Sequence, residues 1–384
     1  MANRIPVAWL QLTHEKVRML VAIVGVAFAN ILMLMQFGFQ DALFDSATVV
    51  QKHLRGDLMV IHPNSETLFR MSSFPRRRLY ETLAVEGVAD AKPMYVGIAT
   101  WKSLQNGRKR AIFVIGIDPL KPALDLPELE YSKPLLLADD TVVFDDNSRA
   151  EFGPVAATLR NKEPLYAEIE NRRVKVAGLF SLGASFSADG NLITSDLNFM
   201  RIFNTRIING IDVAVVDLKP GADKAKVQQT LRAALPEDVR VLNRDEFVAM
   251  EHDYWETSTG IGFIFGQGVF MGFIVGLVIV YQILYTDVNN HLSEYATLKA
   301  MGYTNQYLLS VVFQEAMILS VLGYIPGLLF SNALFVVTRA ATSLPMEVTL
   351  FRGIQVLLFT ILMCLCSGAV AARRLRTADP ASIY

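Results

Sequence analysis

The chain has 384 residues, 52% hydrophobic and 19% charged, with a formal net charge of −1 and a mean hydropathy of +0.33. Soluble domains carry about a quarter charged residues, so part of this chain belongs in lipid, and its near-zero charge gives no basis for nucleic acid as a partner. Cys364 and Cys366 share one apolar run and the five histidines are scattered, which argues against disulfides and against a metal site.

Residues 1–18 read as a cytoplasmic amphipathic helix lying along the membrane. Pro6 suits a first helical turn, and Val7, Leu10, His14 and Val17 give a weak apolar pattern. Residues 19–39 form a charge-free first span of the length a bilayer requires. It is longer than a signal-peptide core, and Asp41-Ala42-Leu43-Phe44 follows it in place of a small-residue cleavage site.

Residues 40–259 are long enough for a buried core. They open with Phe39, Leu43, Ala47, Val50 and Leu54 at helical steps and close with Phe247, Met250, Tyr254, Ser258 and Ile261 in the same manner. Both neighbouring spans are therefore predicted to continue outward as a pair of stalk helices. Between them the pattern predicts a strand at 57–61, a helix at 76–83 and a strand at 94–100. A second β-α-β unit follows, with strands at 212–216 and 239–242 around a helix at 222–235. An inserted, mostly β subdomain is expected at about 118–200, with strands at 141–144 and 174–179 and turns at Lys133-Pro134 and Asp189-Gly190.

Residues 260–285 are the second charge-free span, 316–338 the third and 353–372 the fourth. A cytoplasmic segment (286–315), a short outer loop (339–352) and a tail (373–384) complete the chain. Arg4, Lys16, Arg18, Lys299, Arg373, Arg374 and Arg376 fall on one side, against Arg339 and Arg352 on the other. By the positive-inside rule both termini are cytoplasmic and 40–259 is periplasmic. The expected fold class is an integral membrane protein of four transmembrane helices with a large α+β periplasmic domain.

No G-x-x-x-x-G-K-[ST], G-x-S-x-G, H-E-x-x-H or C-x-x-C stretch occurs, so no nucleotide cradle, cofactor site or catalytic centre is expected. Asp139-Asp140 with Asp145-Asp146, and the triplet Arg76-Arg77-Arg78, read as solvated charges in preference to a calcium loop or a lipid-gripping site. Three features carry more information. Gly268, Gly272 and Gly276 align small residues along one face of span two, for close helix packing within one bundle or across a dimer. The segment from His291 to Tyr303 makes a short surface helix, with Leu292, Tyr295, Leu298 and Met301 at steps of three and Gly302 as its stop. Glu315, at the start of span three, is costly in lipid and should face the bundle or the interface.

One span, a large outer domain and three further spans, with Glu294…Lys299-Ala300-Met301-Gly302…Glu315 between spans two and three, resemble the MacB/FtsX family of ABC-transporter permeases. Within it, Pro6-Val7-Ala8-Trp9-Leu10-Gln11-Leu12, the run from Gln36 to Ala47 and Phe74-Pro75-Arg76-Arg77-Arg78-Leu79-Tyr80 are similar to the DevC type of cyanobacterial glycolipid export. The resemblance implies a homodimer with a separate ABC ATPase (DevA-like), a periplasmic adaptor (DevB-like) and, indirectly, a TolC-type outer-membrane channel, all among membrane lipids. It further implies a porter-like pair of β-α-β units and work by mechanotransmission. Glu294, Leu298, Lys299, Met301 and Gly302 would then form the ATPase-coupling helix. An FtsX-like signalling permease acting on a wall hydrolase and a lipoprotein-releasing permease remain open alternatives.

Overall fold

A computed structural model describes residues 7–104, 107–185, 187–207, 209–342 and 344–373. In chain order these form α1 (Val7–His14), α2 (Lys16–Ala47), α3 (Val49–Lys52), β1 (Leu58–Ile61), β2 (Phe74–Pro75), α4 (Arg77–Leu83), β3 (Val88–Ser103) and β4 (Lys109–Ile117). Then come α5 (Pro127–Leu136), β5 (Thr141–Asp145), α6 (Val155–Arg160), β6 (Leu165–Ile169), β7 (Arg172–Phe180), β8 (Asn191–Ser195), α7 (Asp196–Ile202), β9 (Gly210–Ile211) and β10 (Val213–Leu218). The chain ends with α8 (Lys224–Ala234), β11 (Arg240–Asn243), α9 (Arg244–Asp253), a π turn (Tyr254–Ser258), α10 (Ile261–Asn290), α11 (Leu292–Ala300), α12 (Asn305–Thr342) and α13 (Leu350–Ala371). Among the described residues two units pack separately, one built of residues 7–42, 261–342 and 346–373, the other of 43–260 with 344–345.

Among the described residues, α2, α10, α12 and α13 are long and apolar enough to cross a membrane. At 1.5 Å per residue the 30-residue α10 is about 45 Å long, more than the hydrocarbon thickness. The buried stripe of α12 runs Leu308, Val311, Val312, Glu315, Ala316, Leu319, Gly323 and Gly327, steps of three and four that mark one helical face. The N-terminal helix differs from expectation. Its buried residues are Ala8, Gln11 and Leu12, whereas Trp9 and Leu10 are exposed. Ala8, Gln11 and Leu12 pack inward, and the bulky Trp9 and Leu10 are left for an interfacial environment. Pro6, expected to open this helix, lies outside the described residues.

The other unit is organised by one sheet of order β11-β1-β10-β3-β4-β8-β5-β7-β6. Its first four strands pair antiparallel, β11 and β10 on either side of β1, and β3 beyond β10. With α4 between β1 and β3, and α8 between β10 and β11, this is the ferredoxin-like split β-α-β arrangement. Alternate residues of β1 go to opposite faces. Leu58 and Val60 join Leu79 of α4 with Val227 and Leu231 of α8, and Met59 and Ile61 join Val50, Leu54 and Phe247. Both faces being covered explains why Leu58-Met59-Val60-Ile61 is apolar throughout.

The expected insert is not a subdomain apart. β3 has 16 residues, about 53 Å at 3.3 Å each, long enough to serve two neighbourhoods. Its first half pairs with β10 and its second with β4. Its end also pairs with β6, which closes β3-β4-β8-β5-β7-β6 into a six-stranded barrel without free edges. The barrel interior holds Trp101, Phe144 and Phe152, with ring centroids 5.4 to 5.8 Å apart. Lys133 and Pro134, expected in a turn, lie inside α5, which ends two residues further on, since proline withholds one backbone donor.

Two charge assignments are also corrected. Asp145 is fully buried and accepts from Leu182 N, Gly183 N, Asn147 N and Asn191 Nδ2 at 2.7 to 3.1 Å. Burial still pushes its carboxyl above the ordinary aspartate value. Of the arginine triplet only Arg77 is exposed, because Arg78 folds inward onto Asp238 and Glu81.

The root of this unit departs from simple helical stalks. Gln51 Nε2, Leu68 N and Trp255 Nε1 donate to Glu251 at 2.8 to 2.9 Å, and Phe44 lies on His252 with centroids 4.2 Å apart. The inward stripe is Phe247, Glu251 and Trp255, while Ser258, expected inward, is exposed. The π turn inserts an extra residue per turn and shifts the face. Gly260, at φ +70°, then ends the helical run before α10.

Candidate functional site

The membrane unit holds the coupling segment, the glycine ridge and Glu315 singled out from the sequence. α10 gives way to α11 at His291, and α11 is stopped by a left-handed glycine. Gly302 has φ +94°, and Gly302 N and Tyr303 N donate back to Lys299 O and Leu298 O at 3.0 and 3.1 Å, a C-terminal motif that needs this conformation. The nine residues of α11 make a rod about 14 Å long. Tyr295 and Ala296 are buried, and Tyr295 packs with Val288, Leu308, Val312 and Ala372. Its hydroxyl donates to Gln11 Oε1 at 3.4 Å, and burial raises the phenol above its ordinary value.

Glu294, Met301 and Gly302 are exposed, while Leu298 and Lys299 are half-buried. The step-of-three stripe inferred from the sequence thus breaks at Met301, which is 63% exposed. The helix stops one residue earlier, and its inward face follows the 3.6-residue period through Leu292, Tyr295, Ala296 and Lys299.

Beneath α11 lies a polar cluster. Glu315 is fully buried on the inward stripe of α12, between Val312 and Leu319. Asp287, in the last turns of α10, is nearly as buried. Arg18 Nη1 and His291 Nδ1 approach Asp287 Oδ1 at 3.6 and 3.7 Å. Asp287 was not singled out in the sequence. An acid following a long charge-free run was the available signal.

The glycine ridge of α10 faces its own chain. A Cβ on Gly272 would meet Met33 and Leu32 of α2 at 3.1 and 3.3 Å, and one on Gly276 would meet Ala29 at 2.7 Å and strike Met363 of α13. Gly268 faces Gln36, again on α2, whereas Gly266 faces open space. A matching contact on α12 was missed. Cβ atoms on Gly323 and Gly327 would come within 2.5 and 2.8 Å of Val26 and Asn30 of α2, and the Gly-x-x-x-Gly spacing was legible.

Polar links tie the same helices. Thr360 Oγ1 donates to Asn30 Oδ1, Ser367 Oγ to Leu277 O at 2.8 Å and Tyr324 Oη to Gly353 O at 2.8 Å. Near the start of α13, Arg352 grips Asp41 through Nε and Nη2 at 2.8 and 2.6 Å. Its guanidinium lies 4.5 Å over the Phe37 ring, so the charge is paired and also stacked.

The class that these features define is an integral membrane protein of four helices with a large α+β domain between the first and second. Residues 268–380 match the family model described as FtsX-like permease C-terminal. The match covers under a third of the chain and takes in most of α10 with α11, α12 and α13, so this part of the membrane unit is similar to an FtsX-like permease domain. No curated protein sequence matches the chain.

Three solved structures resemble the other unit. The periplasmic region of MacB from Actinobacillus actinomycetemcomitans matches at 10% identity and a TM-score of 0.35, over 51% of this chain and 92% of its own. The extracellular domain of the noncanonic ABC-type transporter YknZ from Gram-positive bacteria matches at 16% identity and 0.34, over 49% and 100%. A domain of a putative permease from Porphyromonas gingivalis matches at 12% identity and 0.32, over 49% and 92%. At these scores the likenesses carry no statement about function.

Proposed function

We propose that this chain is the membrane subunit of an ABC-type exporter, driven by a separate ATPase seated on the exposed face of α11. The observation that carries this reading is the FtsX-like permease match over 268–380, within which α11 projects Glu294 and Met301 between two spanning helices. A separate ATPase as the source of energy is in keeping with the lack of a nucleotide-binding motif in residues 1–384. Glu294, Leu298, Lys299, Met301 and Gly302 are assigned to ATPase coupling. Gly268, Gly272 and Gly276 are assigned to helix packing, and Glu315 to the intramembrane seat of α11.

Both termini lie in the cytoplasm and residues 40–259 outside it, in keeping with the Lys and Arg bias of the flanks. A homodimer works by mechanotransmission, with a periplasmic adaptor (DevB-like) and a TolC-type channel completing the path. The DevC-like segments favour a glycolipid or similar amphiphile as cargo. Gentle affinity purification of the tagged chain from its native membrane, with mass spectrometry of what accompanies it, tests this reading. An ATPase together with an adaptor is the expected result. An ATPase with a wall hydrolase and no adaptor would replace export by FtsX-like signalling, and a lipoprotein-sorting partner would point to lipoprotein release.

A further inference from the structure

α1 and α11 are backed by the same helix. The inward face of α1 is Ala8, Gln11 and Leu12, all buried, at the steps of three and four that mark one side of a helix. Leu12 joins Ala316 and Leu319 of α12 in the core of the bundle. Tyr295 of α11 reaches α12 one turn earlier, against Leu308 and Val312. A hydrogen bond then joins the two short helices directly. Tyr295 Oη, on a side chain only 1% exposed, donates to Gln11 Oε1 at 3.4 Å. A buried hydroxyl that loses its acceptor is costly, so the place of Gln11 bears on where Tyr295 can sit.

The other face of α1 carries Trp9 and Leu10, both exposed. α1 ends at His14 and α2, long and apolar enough to span, begins at Lys16. The exposed apolar surface continues along α2 through Val17, Leu20, Val21 and Val24. Eight residues make α1 about 12 Å long, so all of it stays near the level at which α2 enters lipid. A tryptophan beside a leucine, turned away from the protein at that level, suits a bilayer interface, with the indole among headgroups and the leucine toward acyl chains. We propose that α1 is a lipid-anchored brace for α11. The bilayer surface holds Trp9 and Leu10, and through Gln11 that hold fixes the seat of Tyr295. The consequence for transport rests on the coupling role assigned to α11: the lipid surface then sets how firmly the ATPase-facing helix is backed.

The test uses the full chain in phosphatidylcholine nanodiscs, with and without bromine on the acyl chains, and reads tryptophan fluorescence beside hydrogen–deuterium exchange. Neither readout needs the ATPase or a cargo, so failure here is separate from failure of the exporter reading. The chain has three tryptophans, and Trp101 and Trp255 are buried, so the difference between wild type and Trp9→Phe isolates Trp9. Brominated lipid should remove most of that difference signal. Leu10→Glu sets a charge against lipid. It should restore Trp9 fluorescence and speed exchange in residues 292–302 about fivefold or more. Gln11→Leu leaves the lipid face intact, so Trp9 should stay quenched while exchange in 292–302 still rises. Adding Tyr295→Phe removes both partners and should return exchange toward wild type. Exchange in residues 43–260 reports whether each variant is folded, and Leu10→Ser replaces Leu10→Glu if that variant is not. Unquenched Trp9 in wild type overturns the proposal. So does wild-type exchange in 292–302 in a folded variant whose Trp9 has left the lipid, or in folded Gln11→Leu.

Discussion

Glu251→Gln is the sharpest test of how the root of the α+β unit is held. The carboxylate of Glu251 is buried. One oxygen accepts from Gln51 Nε2 and Leu68 N, the other from Trp255 Nε1. A glutamine can keep its carbonyl toward the first two donors only by turning its amide toward the indole N–H, which sets donor against donor. Leaving one buried donor unsatisfied costs about 1–3 kcal/mol. That corresponds to about 5- to 150-fold faster amide exchange, by local opening, in the segments around Leu68 and Trp255.

Hydrogen–deuterium exchange of the full chain, read by mass spectrometry on peptides covering those segments, measures it. The pH dependence has a definite sign. Burial raises the Glu251 carboxyl above the ordinary glutamate value, outweighing its hydrogen bonds. Its contribution to stability is therefore complete below the unfolded pKa and is lost as pH rises through the folded one. Local protection in wild type should weaken over that window, and Glu251→Gln should remove that part of the slope. Unchanged exchange in both peptides would refute the assignment of Glu251 as the tie between α3, the Leu68 loop and the π turn.

Other substitutions test the membrane unit. Gly276→Leu should lower the stability of the helix bundle by about 1–3 kcal/mol through overpacking against Ala29 and Met363. Gly266→Leu, facing open space, should leave the melting temperature in detergent unchanged. Arg352→Lys keeps the charge but loses the fork on Asp41 and the stacking on Phe37. A double-mutant cycle with Asp41→Asn should give a coupling on the order of 1 kcal/mol in thermal unfolding. Gly302→Leu forces a branched side chain into φ +94°, about 1–2 kcal/mol of backbone strain. With Glu294→Lys, it should reduce stimulated ATP hydrolysis by the partner about tenfold, equivalent to roughly 1.4 kcal/mol of docking energy, while exchange in residues 43–260 stays as in wild type.

Much of the architecture was legible because its signals are local. The four spans follow from charge-free length, α11 from its stop at Gly302 and its position between two spans, and β1 and β10 from apolar runs too continuous for a solvated strand. Local pattern failed where the partner is distant in sequence. Glu251 disrupts the apolar count of its own helix, yet it is the buried residue that receives Gln51 and Leu68 from the other end of the unit. Asp145 and Arg78 read as surface charges because partners that hold them inside, Leu182 and Asp238, lie 37 and 160 residues away. The barrel was hidden because its closure depends on Trp101 to Ser103 pairing with Ala167 to Ile169, a register that no local period encodes.

The sequence by itself determined that the chain enters lipid four times, where its large domain is inserted and which glycines line one helix face, because hydrophobic length and helical period are properties of contiguous residues. Only the tertiary structure decided that those glycines face α2 and α13 of the same chain, that β3 is shared between a ferredoxin-like sheet and a barrel, and that Glu251 gathers Gln51, Leu68 and Trp255. Each of these is a contact between remote segments, set by how whole elements pack.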